Sequence, residues 1–597
     1  MPSDASRSAP SPLLEAAGPL LFWLLLAAAV LVVMVLGPIA TSDGPAHVAI
    51  AHAITVAGDP AWPMVNRLYD ISPILTPNAL GHYLLAALML ILSPAVAEQT
   101  IQILCIGGVP LAGWLLLRRL HPSAGWLALL LFPVALQATF LMGLYNYSLS
   151  ISFCLLSIWA YLRLRERATA GAALLLAFLL LVTLASQAPG WIEAIAAIGT
   201  MTGVETGLRW LHGRNAGAMS PGASRGKPLR EPLAKSPGAA EGTACPDTPL
   251  GTPFGVTLRL LAMVLASSLP SLLLFLWFMR QSTGFPTVYG PSLVARLIAV
   301  ILGQPFSTIG RATALSSLLL MVLIIGLCAA GLLTWLRNPA RSAASLRLGV
   351  LLVPVAFLAV LAVIPDEAGG GWTHTWRAQP FPLIGLVLAC AVLPLPPRLR
   401  FPATLLAAAI ALVSIGMVAK VQAMDLPPVL REFNEVDGVI PPHCTIAPVL
   451  SQFKLDPANR AQLVYHPLFH AASRFELRDD RPVLFSYVAR LPVYPARFRP
   501  AMDPQRLLYG WQPFQRDTHV VTMDIPRFEA ATGLPVDFVL LWDVPDAPPA
   551  GPFAQIRRDI DKAGYRPVFR SSGGRMEAFR RPGTSGCGPS RGAAPSG

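Results

Sequence analysis

The sequence predicts a mainly α-helical, polytopic membrane bundle with a small α/β domain after its last span. Three observations carry that prediction. Of 597 residues, 54% are hydrophobic and only 13% are charged, whereas soluble domains carry roughly 25% charged residues. Apolar runs of about 20 residues, the length that crosses a bilayer core, recur between residues 20 and 422. After residue 423 charged residues become frequent and no spanning run follows. A water-soluble globular protein is excluded.

Residues 1–19 are expected to be a cytoplasmic segment. The run Leu20–Ile39 is long enough to span, and no small-residue cleavage site follows it, so it reads as a signal anchor. Further runs lie near 79–95, 99–117, 123–143, 146–163, 169–187, 190–211, 256–279, 312–336, 346–364, 379–396 and 402–422, which makes about twelve spans. Leu293–Leu302 is too short to cross, carries Arg296, and reads as an interfacial helix. Residues 213–255 are rich in Pro, Gly, Ser and Ala with scattered basic groups, the composition of a disordered cytoplasmic linker. Residues 423–581 are expected to form an α/β domain, with strands at Val483–Val488 and Phe538–Trp542 and a helix at Pro552–Gly564. Residues 582–597 read as a disordered tail.

The net charge of +13 is placed as a topology signal. Basic residues cluster at Arg163–Arg165–Arg167, at Arg209 with the linker, at Arg337–Arg341–Arg347 and at Arg398–Arg400. With these cytoplasmic, the loops 143–146, 187–190, 280–311 and 365–378 and everything after 423 are extracytoplasmic. Arg118–Arg119 conflict with this, because twelve spans leave them outside; a thirteenth crossing before residue 120 restores the parity. No Arg/Lys stripe interleaves with aromatics, so nucleic acid is not an expected partner. Cys444 and Cys587 could pair if the domain faces an oxidising compartment, but the place of Cys587 in a Gly/Ser/Pro tail weighs against a disulfide.

The richest stretch for chemistry follows the first span: Thr41-Ser42-Asp43-Gly44-Pro45-Ala46-His47. Asp43 before Gly-Pro suits the N-cap of a helix over 45–56, and it equally suits a general base at a membrane boundary. His47 lies one turn on. A second cluster, Asp366, Glu367, His374 and Arg377, occupies the 365–378 loop, where Arg377 is suited to a lipid phosphate and where Trp372 and Trp376 equally suit a plain interfacial anchor. Tyr145 and Asn146 lie at a turn and could hydrogen-bond a sugar; Glu193 lies within a span, where ionisable groups usually face a cavity or a partner.

Asp-Gly-Pro-Ala-His at 43–47 and Gly-Leu-Tyr-Asn-Tyr-Ser-Leu at 143–149 resemble motifs of a bacterial branch of the GT-C glycosyltransferases, the superfamily of lipid-linked aminoarabinose transferases and protein O-mannosyltransferases. The layout of residues 15–422 is similar too: one span, an acid at the start of an external loop, many spans, then a soluble domain. The resemblance implies a polyprenyl-phosphate sugar donor, with Asp43 at the position of the family's first-loop acidic residue and an envelope glycan, lipid or protein as acceptor. The chain departs from the pattern in one respect. Many members carry two acids there, whereas Gly44 and Pro45 follow Asp43 and the next acid is Asp59. One carboxylate is a poor site for a divalent metal, so a divalent metal stays open as a cofactor with only weak support, no other cofactor is implied, and general base is the better role. The inner (plasma) membrane is the implied location. The rival expectation is a non-catalytic protein, a transporter of a lipid-linked substrate or an envelope scaffold. A transporter should place polar groups at mid-membrane, whereas these candidates cluster at one face.

Overall fold

The computed structural model describes residues 12–72, 75–218, 254–281, 284, 286–337, 345–369, 373–451, 465–491, 493–509, 522–546, 551–584 and 586–587. Most of the linker expected at 213–255 and the end of the tail therefore lie outside the described residues. In chain order the helices are α1 (Pro12–Leu36), α2 (Gly44–Thr55), α3 (Pro63–Leu68), α4 (Leu80–Met89), α5 (Pro94–Leu120), α6 (Phe132–Ala135), α7 (Ala138–Leu141), α8 (Tyr145–Glu166), α9 (Ala170–Ser186), α10 (Ala188–Ala218), α11 (Phe254–Gln281), α12 (Leu293–Ile301), α13 (Arg311–Arg337), α14 (Ser345–Val363), α15 (His374–Ala378), α16 (Pro380–Val392) and α17 (Pro397–Lys420).

Among the described residues, eight helical segments are long and apolar enough to cross a membrane. Three further segments run the same length of the bundle: α9, α10, and the stretch 122–141, in which a 3₁₀ helix (Pro122–Leu131) leads into α6 and α7. The contacts give each segment its direction. The Gln99 amide reaches the Val33 carbonyl at one end of the α1–α5 pair, and Phe22 stacks on Trp114 towards the other. Gly18 packs on Trp126, while the Leu141 carbonyl accepts from Ser42 N, so 122–141 returns to the Asp43 end. Glu166 then pairs with Arg119, and Glu205 with Arg165, at the far end.

With the eight, these three make eleven helical segments running along the bundle. Against the expected twelve or thirteen spans, eight described helices have the length and apolarity of a crossing segment. The run at 79–95 does not cross: it forms the ten-residue α4, about 15 Å long against a core of about 30 Å. Removing that crossing carries Arg118–Arg119 to the end shared by Arg163, Arg165, Arg209, Arg347 and Arg400. No extra crossing is needed. The interfacial helix is present as α12, with Leu293, Val294, Ile298 and Ile301 exposed and Arg296 donating to the Leu361 and Ile364 carbonyls.

The C-terminal domain holds helices α18 (Pro427–Asn434), α19 (Pro504–Leu507), α20 (Ile525–Thr532) and α21 (Pro552–Lys562). Its strands are β2 (Ile446–Leu450), β3 (Ala496–Phe498), β4 (Phe538–Trp542), β5 (Arg566–Arg570) and β6 (Met576–Arg580), and β1 (Tyr69–Ile71) precedes them in the chain. One sheet has the order β2-β4-β6-β5, with β2 and β4 parallel and the other pairs antiparallel. The strand expected at Val483–Val488 reduces to a single bridge, Val483 with Ile446, followed by a 3₁₀ turn. The first loop belongs to this domain as well: β1 pairs with β3, and Ala46, Ile50, Val65 and Leu68 share its apolar core.

Cys444 and Cys587 are joined in a disulfide across 143 residues. The tail expected from 582 is therefore anchored as far as Cys587. Closing so long a loop removes chain entropy from the unfolded state. Cys587→Ser is expected to cost about 2–5 kcal/mol, read as a lower Tm of the detergent-solubilised protein; an unchanged Tm under oxidising conditions would mean the bond contributes nothing.

Candidate functional site

The two sequence motifs interlock at one end of the bundle. Ser42 N donates to the Leu141 carbonyl (3.2 Å) and Asp43 N to the Met142 carbonyl (2.8 Å). Gly143, at φ +87°, lies flat against this turn, and a Cβ there would meet Gly44 N at 2.5 Å. Only glycine combines that left-handed backbone with so close an approach. Asp43 does stand at the N-cap of α2, but its side chain makes no cap hydrogen bond. Thr41 Oγ1 accepts from Gly44 N instead (3.2 Å). The two roles open to Asp43 in the sequence are thereby separated, and its carboxylate is free to point elsewhere.

It points at the C-terminal domain. The Tyr487 hydroxyl donates to Asp43 Oδ2, and His470 Nδ1 lies 3.3 Å from Oδ1, an ion-pair distance without good hydrogen-bond alignment. Four residues after His470, Arg474 pairs with buried Glu98 at 2.9 Å. The other Glu98 oxygen accepts from the Tyr145 hydroxyl (2.9 Å), which in turn accepts from Gln102 (2.8 Å). Tyr465 donates to the Ala40 carbonyl (2.7 Å) and His466 N to Ser42 Oγ (3.1 Å). One stretch of the soluble domain, 465–474, thus closes over the first loop residue by residue.

His47 Nδ1 lies 2.9 Å from His82 Nε2, and Asn146 holds His82 from behind (3.1 Å) while accepting from Gly81 N (2.5 Å). Burial, then the charges of His82, His470 and Arg377, hold the His47 imidazole well below its ordinary range. Burial pushes His82 down to about 4 against the opposing Asn78 carbonyl. Both rings are therefore neutral at pH 7. Burial, then Asp43 and Tyr494, raise the Tyr487 phenol well above its usual value, so it stays a donor.

Beside this cluster lies a cavity of about 280 Å³ with largely apolar walls. Ile192, Phe275, Phe278 and Ile364 are among its apolar lining, and Asn78, Gln187, Thr373, His374, Arg377, Tyr487 and Tyr494 are its polar residues. Arg377 makes no ion pair among the described residues, and its buried Nε has no hydrogen-bond partner. Its backbone carbonyl accepts from the Tyr147 hydroxyl.

Of the residues singled out in the sequence, only His374 and Arg377 line this cavity. Asp43 adjoins it through Tyr487. His47, Tyr145 and Asn146 are buried in the network beneath. Asp366 accepts from the Thr375 hydroxyl and Glu367 bridges Val288, so both shape the loop rather than face the cavity. Glu193 lies inside the bundle, away from the cavity lining, although its neighbour Ile192 is part of that lining.

Glu98, His82, His470, Arg474, Tyr487 and Tyr494 were not anticipated. Glu98 and His82 carry one legible signal, a polar group at or within a run read as a span. The other four sit in a domain without motifs and become visible only by contact. Beside Asp43 the donor set is one carboxylate and one imidazole, and no group of three carboxylate, imidazole or thiolate ligand atoms gathers there among the described residues. That fits a base better than a divalent-metal site. No protein-family model matches this chain, and no curated protein does.

Proposed function

We propose that the protein is a membrane glycosyltransferase that moves a sugar from a polyprenyl-phosphate donor to an envelope acceptor at the extracytoplasmic face. One observation carries the reading. An apolar cavity of a size to hold part of a lipid chain ends at a guanidinium that makes no ion pair among the described residues and whose Nε has no hydrogen-bond partner, and a carboxylate with a bound phenol stands beside it. The disulfide and the basic residues at the opposite end support the placement of this face outside the cytoplasm.

In this reading the isoprenoid lies along Ile192, Phe275 and Phe278, and Arg377 holds the phosphate. The acceptor hydroxyl approaches Tyr487. As its oxygen attacks the anomeric carbon, its proton passes to the Tyr487 oxygen and the phenolic proton passes to Asp43. The C–O bond to the phosphate breaks with inversion, and the phosphate leaves as an anion stabilised by Arg377. His470 holds the second Asp43 oxygen in place. Tyr487→Phe is expected to lower turnover strongly while leaving donor binding unchanged. The overall test is native mass spectrometry of the purified protein with polyprenyl phosphate, alongside glycan and lipid profiles of envelopes with and without the protein. Retention of the lipid and loss of one glycosylated component are expected; no retention together with identical profiles would overturn the proposal.

A further inference from the structure

We infer that Cys328 and Cys390 form a redox-modification site within the membrane bundle, a dithiol that a lipid hydroperoxide converts to a disulfide between α13 and α16. The inference does not rest on the glycosyltransferase reading. Both cysteines are free thiols, and their sulfurs lie 3.2 Å apart. A disulfide is about 2 Å long, so roughly 1 Å of closure separates the contact from the bond. The Cys328 thiol also lies 3.5 Å from the Leu386 carbonyl, one turn before Cys390 on α16. One turn further on, a Cβ on Gly331 would meet Leu393 Cβ at 2.7 Å. Position 328 faces 390 and position 331 faces 393, so the two segments hold one register along this contact, and the small residue lets them approach closely. Backbone packing therefore sets the meeting of the sulfurs.

Buried structural thiols are ordinarily inert, and access decides which cysteine reacts. Cys328 is half-buried and Cys390 is buried. Cys328 follows Ile325 by three residues and precedes Leu332 by four, so the three share one face of α13, and Ile325 and Leu332 are exposed. α13 is long and apolar enough to cross a membrane, so lipid covers that face. The oxidant that reaches Cys328 along it is lipid-borne, a hydroperoxide on an acyl chain. The Cys328 sulfur attacks the outer oxygen of the hydroperoxide. The O–O bond breaks, the lipid leaves as an alcohol with the Cys328 proton, and Cys328 becomes a sulfenic acid. Cys390 then attacks that sulfur, the S–O bond breaks, and the hydroxyl leaves with the Cys390 proton as water. Two thiols and one hydroperoxide thus give one disulfide, one alcohol and one water. Neither cysteine lines the cavity beside Arg377. Cys328 stands about 14 Å before Arg337, the last residue of its helix, so the pair is a second site near the basic end of the bundle.

The test uses the full-length protein in phospholipid vesicles, with its free thiols reduced and the reductant removed. One sample receives linoleic acid hydroperoxide and a parallel one hydrogen peroxide. Remaining thiols are then labelled with N-ethylmaleimide after unfolding, and the cysteine peptides are mapped by mass spectrometry. The lipid hydroperoxide should abolish labelling of Cys328 and Cys390 together and join their two peptides, while Cys105 and Cys154 label as before; dithiothreitol should restore both. Hydrogen peroxide should need a higher dose. In Cys390→Ala the bond cannot form, and Cys328 should be trapped as a sulfenic acid by dimedone. In Cys328→Ala, Cys390 should stay fully labelled. Unchanged labelling of both cysteines in the wild type after lipid hydroperoxide would overturn the proposal without any variant having to fold. Joining by hydrogen peroxide at a lower dose than by the lipid hydroperoxide would overturn the lipid route, and a dimedone adduct on Cys390 in Cys328→Ala would overturn the order of attack.

Discussion

Asp43→Asn is expected to lower product formation by roughly 10²–10⁴-fold, the range for losing a general base, while the protein still folds. Asparagine keeps an oxygen for the Tyr487 hydroxyl but takes up no proton. The start of α2 is safe, because Thr41 and not Asp43 caps Gly44 N. The local cost is the weakened contact with His470, on the order of 1 kcal/mol, measurable as a small Tm change in detergent. Asp43→Glu should also be slow, since the longer side chain displaces either Tyr487 or His470 in a site where Asp43 is 2% exposed. Turnover is read as glycosylated product, and folding as Tm and yield. Full activity in a stable Asp43→Asn protein would reduce Asp43 to a domain contact and favour the transporter or scaffold reading.

The membrane character and the order of most long helices were legible because each rests on local composition, and a run of about 20 apolar residues has few alternative readings. Run length alone misjudged 79–95, since hydropathy does not say that Ser93 and Pro94 break the run and that α4 stays at one end of the bundle. The same limit applies to Asp43. Its cap position could be read from Asp-Gly-Pro, but the direction of its side chain depends on Thr41 two residues earlier and on Tyr487, 444 positions away. His470 and Arg474 were illegible for a similar reason: their meaning comes from Asp43 and Glu98, which only the closed first loop brings within reach. Of the Gly-Leu-Tyr-Asn-Tyr motif, Leu144 alone reaches the cavity lining. Gly143 packs on the Asp43 turn, Tyr145 bonds Glu98, and Asn146 holds His82 and the Asn78 carbonyl.

Arg377→Ala should weaken retention of polyprenyl phosphate by about 10–100-fold, since a charge-assisted hydrogen bond to a desolvated phosphate is worth roughly 1.5–3 kcal/mol. The substitution is clean because the structural role of this residue runs through its backbone: the Tyr147 hydroxyl bonds the Arg377 carbonyl, which alanine keeps. The guanidinium makes no ion pair among the described residues, so its removal leaves no orphaned carboxylate. It also takes away a costly buried cation with an unpartnered Nε, and the Tm should stay level or rise. Arg377→Lys keeps the charge but loses the planar fork that grips two phosphate oxygens, so it should recover part of the affinity. Its shorter reach also leaves the ammonium nearer the apolar wall at Ile364. Native mass spectrometry with polyprenyl phosphate and with the uncharged polyprenol separates charge from chain. Arg377→Ala should lose the phosphate and keep whatever polyprenol the wild type retains. Equal loss of both would mean the variant has collapsed the cavity, and equal retention of both would take Arg377 out of donor binding and leave the apolar walls as the only support for a lipid substrate.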